Sequence, residues 1–192
     1  MSEIFPVILA ACLVNNLVLE NLLGVSAVHA VSRTLDTAGG MALAMLIVLP
    51  VTTTSCYLAH NFLLVPAKME YLRLPLFVTL VVVSVYALKA VLERLRPSIL
   101  ARLEVFFPLM LANSSLLGAA LLVLENSPGL FASLLQSIGT ALGFGIVLVL
   151  FSSLRSKLAQ ADIPTAFEGP AILLVTLGIL SMAFMGLSGL RL

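Results

Sequence analysis

Along this chain one pattern recurs: a run of about twenty mostly apolar residues, then a short polar link. A helix crossing ~30 Å of hydrocarbon needs such a run. Six stretches qualify: Ile4–Gly24, Gly39–Ala59, Leu74–Leu92, Val105–Leu124, Leu134–Leu154 and Pro170–Leu190. Charged residues are only 10% of the chain and hydrophobic ones 61%, whereas a soluble domain carries about 25% charged residues. The expected fold is therefore all-α, an integral membrane protein with six transmembrane helices in a single membrane domain, 1–192. Little mass is left outside the membrane for soluble chemistry. A formal net charge of +1 supplies no basic field for nucleic acid and no acidic tail. Cys12 and Cys56 form neither a metal-type spacing nor a disulfide framework. The first run lacks a basic leader and is interrupted by amides, so it reads as part of the mature protein rather than a cleaved signal.

Lysines and arginines set the orientation. Arg33, then Lys89, Arg94, Arg96 and Arg102, then Arg155 and Lys157 lie in or beside the links after stretches one, three and five. Lys68, Arg73 and Arg191 lie on the other side. The richer side is expected to be cytoplasmic, so both termini are expected to face away from the cytoplasm.

Six spans also read as three plus three. A three-helix unit repeated once enters the membrane the opposite way up, and such inverted repeats hold their sites near the midplane on interrupted helices. The halves would be about 1–98 and 99–192, with the first and fourth helices interrupted. Polar residues support this: Asn15 and Asn16 sit near the centre of the first stretch, and Asn113, Ser114 and Ser115 near the centre of the fourth. An amide or hydroxyl in hydrocarbon costs free energy unless something bonds it. A lone serine there ordinarily makes an interhelical hydrogen bond worth about 1 kcal/mol or less. For the paired clusters, packing and a site are both open readings. The first apolar run also continues past Gly24 to about Val31. A helix broken near Asn15 and Asn16 would explain the excess; a straight, tilted helix with Glu20 at its cytoplasmic end would too.

The other helices read as scaffold. Gly139 and Gly143 form a small-residue pair that lets helix backbones approach. Gly178, Gly186 and Gly189 suit packing, while Ser181 and Ser188 can hydrogen-bond within or between helices. Glu20 is the most membrane-embedded acid, read as interfacial and paired with a loop cation, with an ion path as the sharper alternative. Glu104 reads as interfacial beside Arg102. His29 and His60 fall at opposite ends of the membrane and cannot share a metal. No nucleophile triad, phosphate loop or Cys-x-x-Cys is present, so a catalytic site wholly within this chain is not expected.

Several segments carry a resemblance: Leu13-Val14-Asn15-Asn16 with Leu23-Gly24; Val31-Ser32 with Leu35, Thr37 and Ala38; Phe106, Pro108-Leu109, Asn113 and Leu117-Gly118; Ala161-Asp162-Ile163-Pro164 with Phe167 and Gly169; and Ala183-Phe184-Met185-Gly186 with Ser188-Gly189. Together they span nearly the whole chain. In them the sequence resembles the A-type membrane subunits of Rnf electron-transport complexes and their relatives in the sodium-pumping NADH:quinone oxidoreductase (Nqr). The resemblance implies a non-catalytic membrane subunit of a translocase that passes electrons between ferredoxin and NAD and couples this to sodium or proton movement. It implies an E subunit of similar fold in opposite orientation as the close partner, with D, G, B and C subunits and membrane lipid around them. It also implies a 2Fe–2S cluster between the A-type and E-type chains, held by one cysteine from each interrupted helix of each.

Here the chain departs from its relatives. Where the family has Leu-Gly-x-Cys, this sequence ends Leu23-Gly24-Val25 with Ser26; where the family has Thr-Asn-Cys, it has Ala112-Asn113-Ser114. Glu104 also stands where the family has a glycine ahead of Phe-x-Pro-Leu. The expected cofactor-binding positions are thus Ser26 and Ser114, surrounded by Asn15, Asn16, Gly24, Asn113 and Gly118. Iron–sulfur clusters are held by thiolates, and an alkyl hydroxyl is a harder ligand that stays protonated at working pH. A metal can draw that proton off, yet losing both thiols together fits loss or remodelling of the cluster better than ligand exchange. The alternative is a variant or paralogue without the cluster, acting as a scaffold or assembly factor, or as a small-solute or ion transporter.

Overall fold

The computed structural model describes residues 4–95, 104–126, 129–162, 164 and 167–186. Arg96, Arg102, Ser188, Gly189 and Arg191 lie outside the described residues. Those residues are helical where they are regular, with no strand among them. Helix α1 (Ile4–Leu9) widens into a π-helical turn over Ala10–Val14. A non-helical segment then leads to the short α2 (Val25–Val31). Helix α3 (Leu35–Ala59) runs on through a π turn, His60–Leu64, to Ala67. Helix α4 is Arg73–Leu95. The fourth stretch forms two pieces, α5 (Phe107–Leu111) and α6 (Ser114–Asn126). Helices α7 (Leu130–Leu158) and α8 (Pro170–Met185) complete the described structure.

Three helices are long and apolar enough to cross a membrane unbroken: Leu35–Ala67, Glu70–Arg94 and Leu130–Leu158, of 33, 25 and 29 residues. The pieces Glu104–Leu111 and Ser114–Asn126, bent by 60°, can form a fourth span. Helix α8 is apolar but only 16 residues long among those described. The chain is a multi-pass helical membrane protein.

The observed helices outrun the apolar windows because polar termini cap them. Helix α3 starts at Leu35 rather than Gly39: the Thr34 hydroxyl accepts from the Thr37 N–H at 3.3 Å, and Asp36 in the first turn complements the helix dipole. Helix α7 starts at Leu130 and runs to Leu158, with Arg155 and Lys157 in its last turn.

Helices α3 and α7 form the centre. Met41, Met45, Val48 and Leu49 of α3 are buried with Phe144, Val147, Leu148 and Phe151 of α7 in one apolar core. Ala42 lies so close to Gly145 that a side chain there would meet its Cβ at 3.2 Å. Gly139 and Gly143 seat the interrupted first helix on α7. A Cβ on Gly139 would reach the Ile8 carbonyl oxygen at 2.8 Å, and one on Gly143 would reach the Cys12 carbonyl oxygen and, at 2.8 Å, Asn16 Nδ2. Gly178 differs from the packing role read in its sequence: nothing lies within 4 Å of a side chain added there. Ser181 does bond between elements, donating to the Leu19 carbonyl at 2.6 Å.

Candidate functional site: the junction of two interrupted helices

The straight reading of the first stretch fails at Asn15, which leaves helical geometry at φ −96°, ψ 53°. Its N–H closes the π turn onto the Ala10 carbonyl at 2.8 Å. Asn16, buried at 1% exposure, then does what its position in hydrocarbon demands. Its amide donates to the Cys12 carbonyl at 2.8 Å, and its Oδ1 accepts from the N–H groups of Val18 and Leu19 at 3.1 and 3.4 Å. One side chain thus serves backbone groups on both sides of the break. Leu22 and Gly24 follow in left-handed geometry, φ 53° and 80°, and turn the chain into α2. Glu20 consequently sits inside the break rather than at the cytoplasmic end of a straight helix, and no cation pairs with it among the described residues. Glu104 pairs with Lys89, at 3.7 Å; Arg102, its neighbour in the sequence, lies outside the described residues.

The fourth stretch breaks at Ala112 and Asn113. Asn113, also buried, caps α6: its Oδ1 accepts from the Ser115 N–H at 3.0 Å, while its amide points at Met45 Sδ, 3.8 Å away. The two breaks meet. Ser114 Oγ accepts a hydrogen bond from the Gly24 N–H at 3.0 Å. A Cβ on Gly24 would overlap Ser115 Oγ and approach Asn113 Oδ1 and Phe144 at 3.0 Å each. One on Gly118 would collide with Leu23. Glycine at both positions lets the two broken segments touch, and at Gly24 it also meets the positive φ.

Of the expected site residues, Gly24, Asn113, Ser114 and Gly118 therefore form one contiguous junction, while Asn16 braces the break in the first helix against α7. Ser26, in the first turn of α2, lies two residues from the Gly24–Ser114 bond. Ser26 and Ser114 are both exposed, unlike buried Ser115. Asn15 stands apart: it faces a cavity of about 250 Å³ on the far side of the break, with Glu20 and Asn21. Arg155 anchors the outer end of α2 by donating to the His29 carbonyl at 2.8 Å and to Ser32 Oγ at 3.0 Å. Sequence reasoning missed Arg155, Met45 and Phe144 as parts of this region. In the sequence Arg155 marks only topology, and no local pattern marks the other two. Ser115 Oγ is buried without a hydrogen-bond partner.

The whole chain can be matched to known proteins. Residues 4–191 match the family described as Rnf-Nqr subunit, membrane protein. The chain belongs to the Rnf-Nqr family. Its relatives include proteins named as the A subunit of an ion-translocating oxidoreductase complex. The one from Pasteurella multocida (strain Pm70) is 40% identical over 99% of both chains. The one from Alkalilimnicola ehrlichii is 42% identical over 99% of this chain and 98% of the relative. A protein of the same name from Pseudoalteromonas translucida is 40% identical over 99% and 98%.

Within this Rnf-Nqr chain the donor set does not fit a thiolate-held cluster. The two positions where the resemblance implies cysteine present hydroxyls, and one of these, Ser114, already accepts a backbone hydrogen bond. The two cysteines are buried elsewhere: Cys12 in the π turn above Gly143 and Cys56 in α3. No group of three or more His, Cys, Asp or Glu that could hold a metal occurs among the described residues.

Proposed function

We propose that this chain is the A-type membrane component of an Rnf-type complex that couples electron transfer between ferredoxin and NAD to ion translocation. The observation that carries the reading is similarity to the A-type relatives over essentially the full length of both chains. The architecture is six spans in two inverted repeats, about 1–98 and 99–192, in a bacterial inner membrane with both termini periplasmic. Two breaks that meet at mid-chain positions of the first and fourth stretches support that plan. The partners are the E subunit, in opposite orientation, and the D, G, B and C subunits, which carry the flavin, soluble iron–sulfur and nicotinamide chemistry. Exposure of Ser26 and Ser114 is consistent with a neighbouring subunit there.

This chain supplies no ligand to an intersubunit 2Fe–2S cluster. Its junction serves as a hydrogen-bonded scaffold, closed by Ser114 and Gly24. Affinity purification of the tagged chain from its native membrane tests the assignment. Co-purification of flavin-bearing and iron–sulfur partners, with ferredoxin:NAD activity, is the expected result. A stable oligomer without them would overturn it in favour of a transporter or assembly factor. Iron analysis and paramagnetic resonance on the same material test the ligand statement, which fails if an intramembrane 2Fe–2S signal is altered by Ser26→Ala or Ser114→Ala.

A further inference from the structure

Helices α2, α7 and α8 leave between them two adjoining cavities, of about 290 and 310 Å³, which share His29, Pro170 and Leu173. Together they form one cleft with unlike ends. At the outer end, where α7 finishes and α8 starts, stand Arg155 and His29. The deeper end is lined by Val25, Val28, Phe151, Leu174 and Leu177, with Ser26 as its one hydroxyl. No aspartate or glutamate lines either cavity. Glu168, beside Gly169 in the chain, is exposed and outside the lining. Arg155 has no acidic partner among the described residues. A guanidinium carries N–H donors on three nitrogens. Both bonds that Arg155 makes, to the His29 carbonyl and to Ser32 Oγ, leave from Nη1. Its Nε and Nη2 donors therefore have no acceptor among the described residues.

We infer that this cleft binds one anionic phospholipid of the surrounding membrane, with its phosphate on Arg155 and an acyl chain in the apolar end. Basic pockets between membrane helices hold phospholipid headgroups by charge and hydrogen bonding. Two phosphate oxygens match the unused edge of a guanidinium, which an ammonium or an amide would not reproduce. The two ends do different work. An acyl chain leaving the bilayer for the cleft exchanges one apolar setting for another, so the apolar end gains little from burial and fixes position only. Selection among lipids falls to the charged end, where one basic group is worth about fivefold in favour of an anionic head. The deep end reaches Ser26, where a neighbouring subunit is proposed above, so a polypeptide segment is the competing occupant. The order from cation to apolar wall within one cleft matches that of a phospholipid, head then tail, and favours the lipid. The inference rests on the membrane fold and not on the assignment of the complex.

The test is native mass spectrometry of the protein purified from its native membrane with whatever subunits accompany it. The sample is titrated with phosphatidylglycerol or, as the neutral control, phosphatidylcholine, and the chain is ejected with its bound lipid. Wild type should retain one phosphatidylglycerol per chain, with an apparent affinity at least about fivefold above that for phosphatidylcholine. Arg155→Gln should bring the two lipids to parity, and Arg155→Lys should keep a preference for the anionic one. Arg155 also anchors α2, so Leu174→Trp supplies an independent check. It leaves the cation in place, narrows the apolar end from an exposed position and should lower retention of both lipids by a similar factor. Equal retention of the two lipids by wild type overturns the site. So does phosphatidylglycerol retention unchanged by Arg155→Gln or by Leu174→Trp. The photoreactive variant Leu174→benzoylphenylalanine should cross-link to lipid on illumination; cross-linking to a partner polypeptide instead overturns the choice of occupant.

Discussion

Gly24 is where backbone and packing constraints coincide. Its φ of 80° is left-handed, and a Cβ would press on Ser115, Asn113 and Phe144 together. The conformational part costs about 1–2 kcal/mol and the overlap about 1–3. Gly24→Ala should therefore destabilise the purified chain by roughly 2–5 kcal/mol, read as a lower midpoint in detergent thermal unfolding. Gly178→Ala is the matched control. Its site is open and helical, so the same change should be neutral or stabilising by up to about 1 kcal/mol. Equal losses at both positions would refute the steric account. Asn16 presents a different case, because its removal would strand two or three buried backbone groups at once. Asn16→Ala should cost about 2–4 kcal/mol by the same measurement. Asn15→Ala, whose side chain is exposed, should cost less than about 1 kcal/mol.

At the scale of elements, the interrupted helices were only partly legible in the sequence. Adjacent amides in apolar runs announce a break because hydrocarbon offers them no partner. Asn113 did so in the fourth stretch, where it caps the helix that follows. In the first stretch the same signal left broken and straight readings open. What decides it is the backbone leaving helical geometry at Asn15 and turning left-handed at Leu22, φ 53°, a geometry that leucine does not advertise. The pairing of Ser114 with Gly24 joins residues 90 positions apart, which no local pattern reveals. Family resemblance, rather than spacing, brought Ser26 and Ser114 together. Arg155 was legible as a charge but not as a clamp. Helix α2, with 7 residues, is too short to hold itself. Its anchor is the pair of bonds from Arg155 to His29 and Ser32. Arg155→Met keeps the length and removes the donors. Amide exchange over α2 should then accelerate by about tenfold, the effect of losing roughly 1.5 kcal/mol. The middle of α7 should be unchanged. Uniform acceleration of both would mean that Arg155 supports the whole fold rather than one element.

For the whole molecule, ion pairs and clamps fall at two separate ends. Lys89 with Glu104, at 3.7 Å, lies between the end of α4 and the start of the bent pair. Arg73 with Glu125, at 3.9 Å, joins the opposite ends of the same two spans. These two spans therefore run antiparallel, as the proposed charge-biased topology requires of them. In the proposed six-span plan α4, the bent α5–α6 pair and α7 separate Glu70 from Lys157, and this odd number of crossings puts them on opposite faces. Both residues are exposed. The native cysteines are buried, so they should stay silent toward a bulky, membrane-impermeant maleimide. In cells whose outer membrane alone has been opened, Glu70→Cys should label and Lys157→Cys should not. In inverted vesicles the pattern should exchange. A reversed pattern would invert the orientation while keeping the alternation. Labelling of both from one face would remove the odd crossing number, and with it the basis for two three-helix halves facing opposite ways.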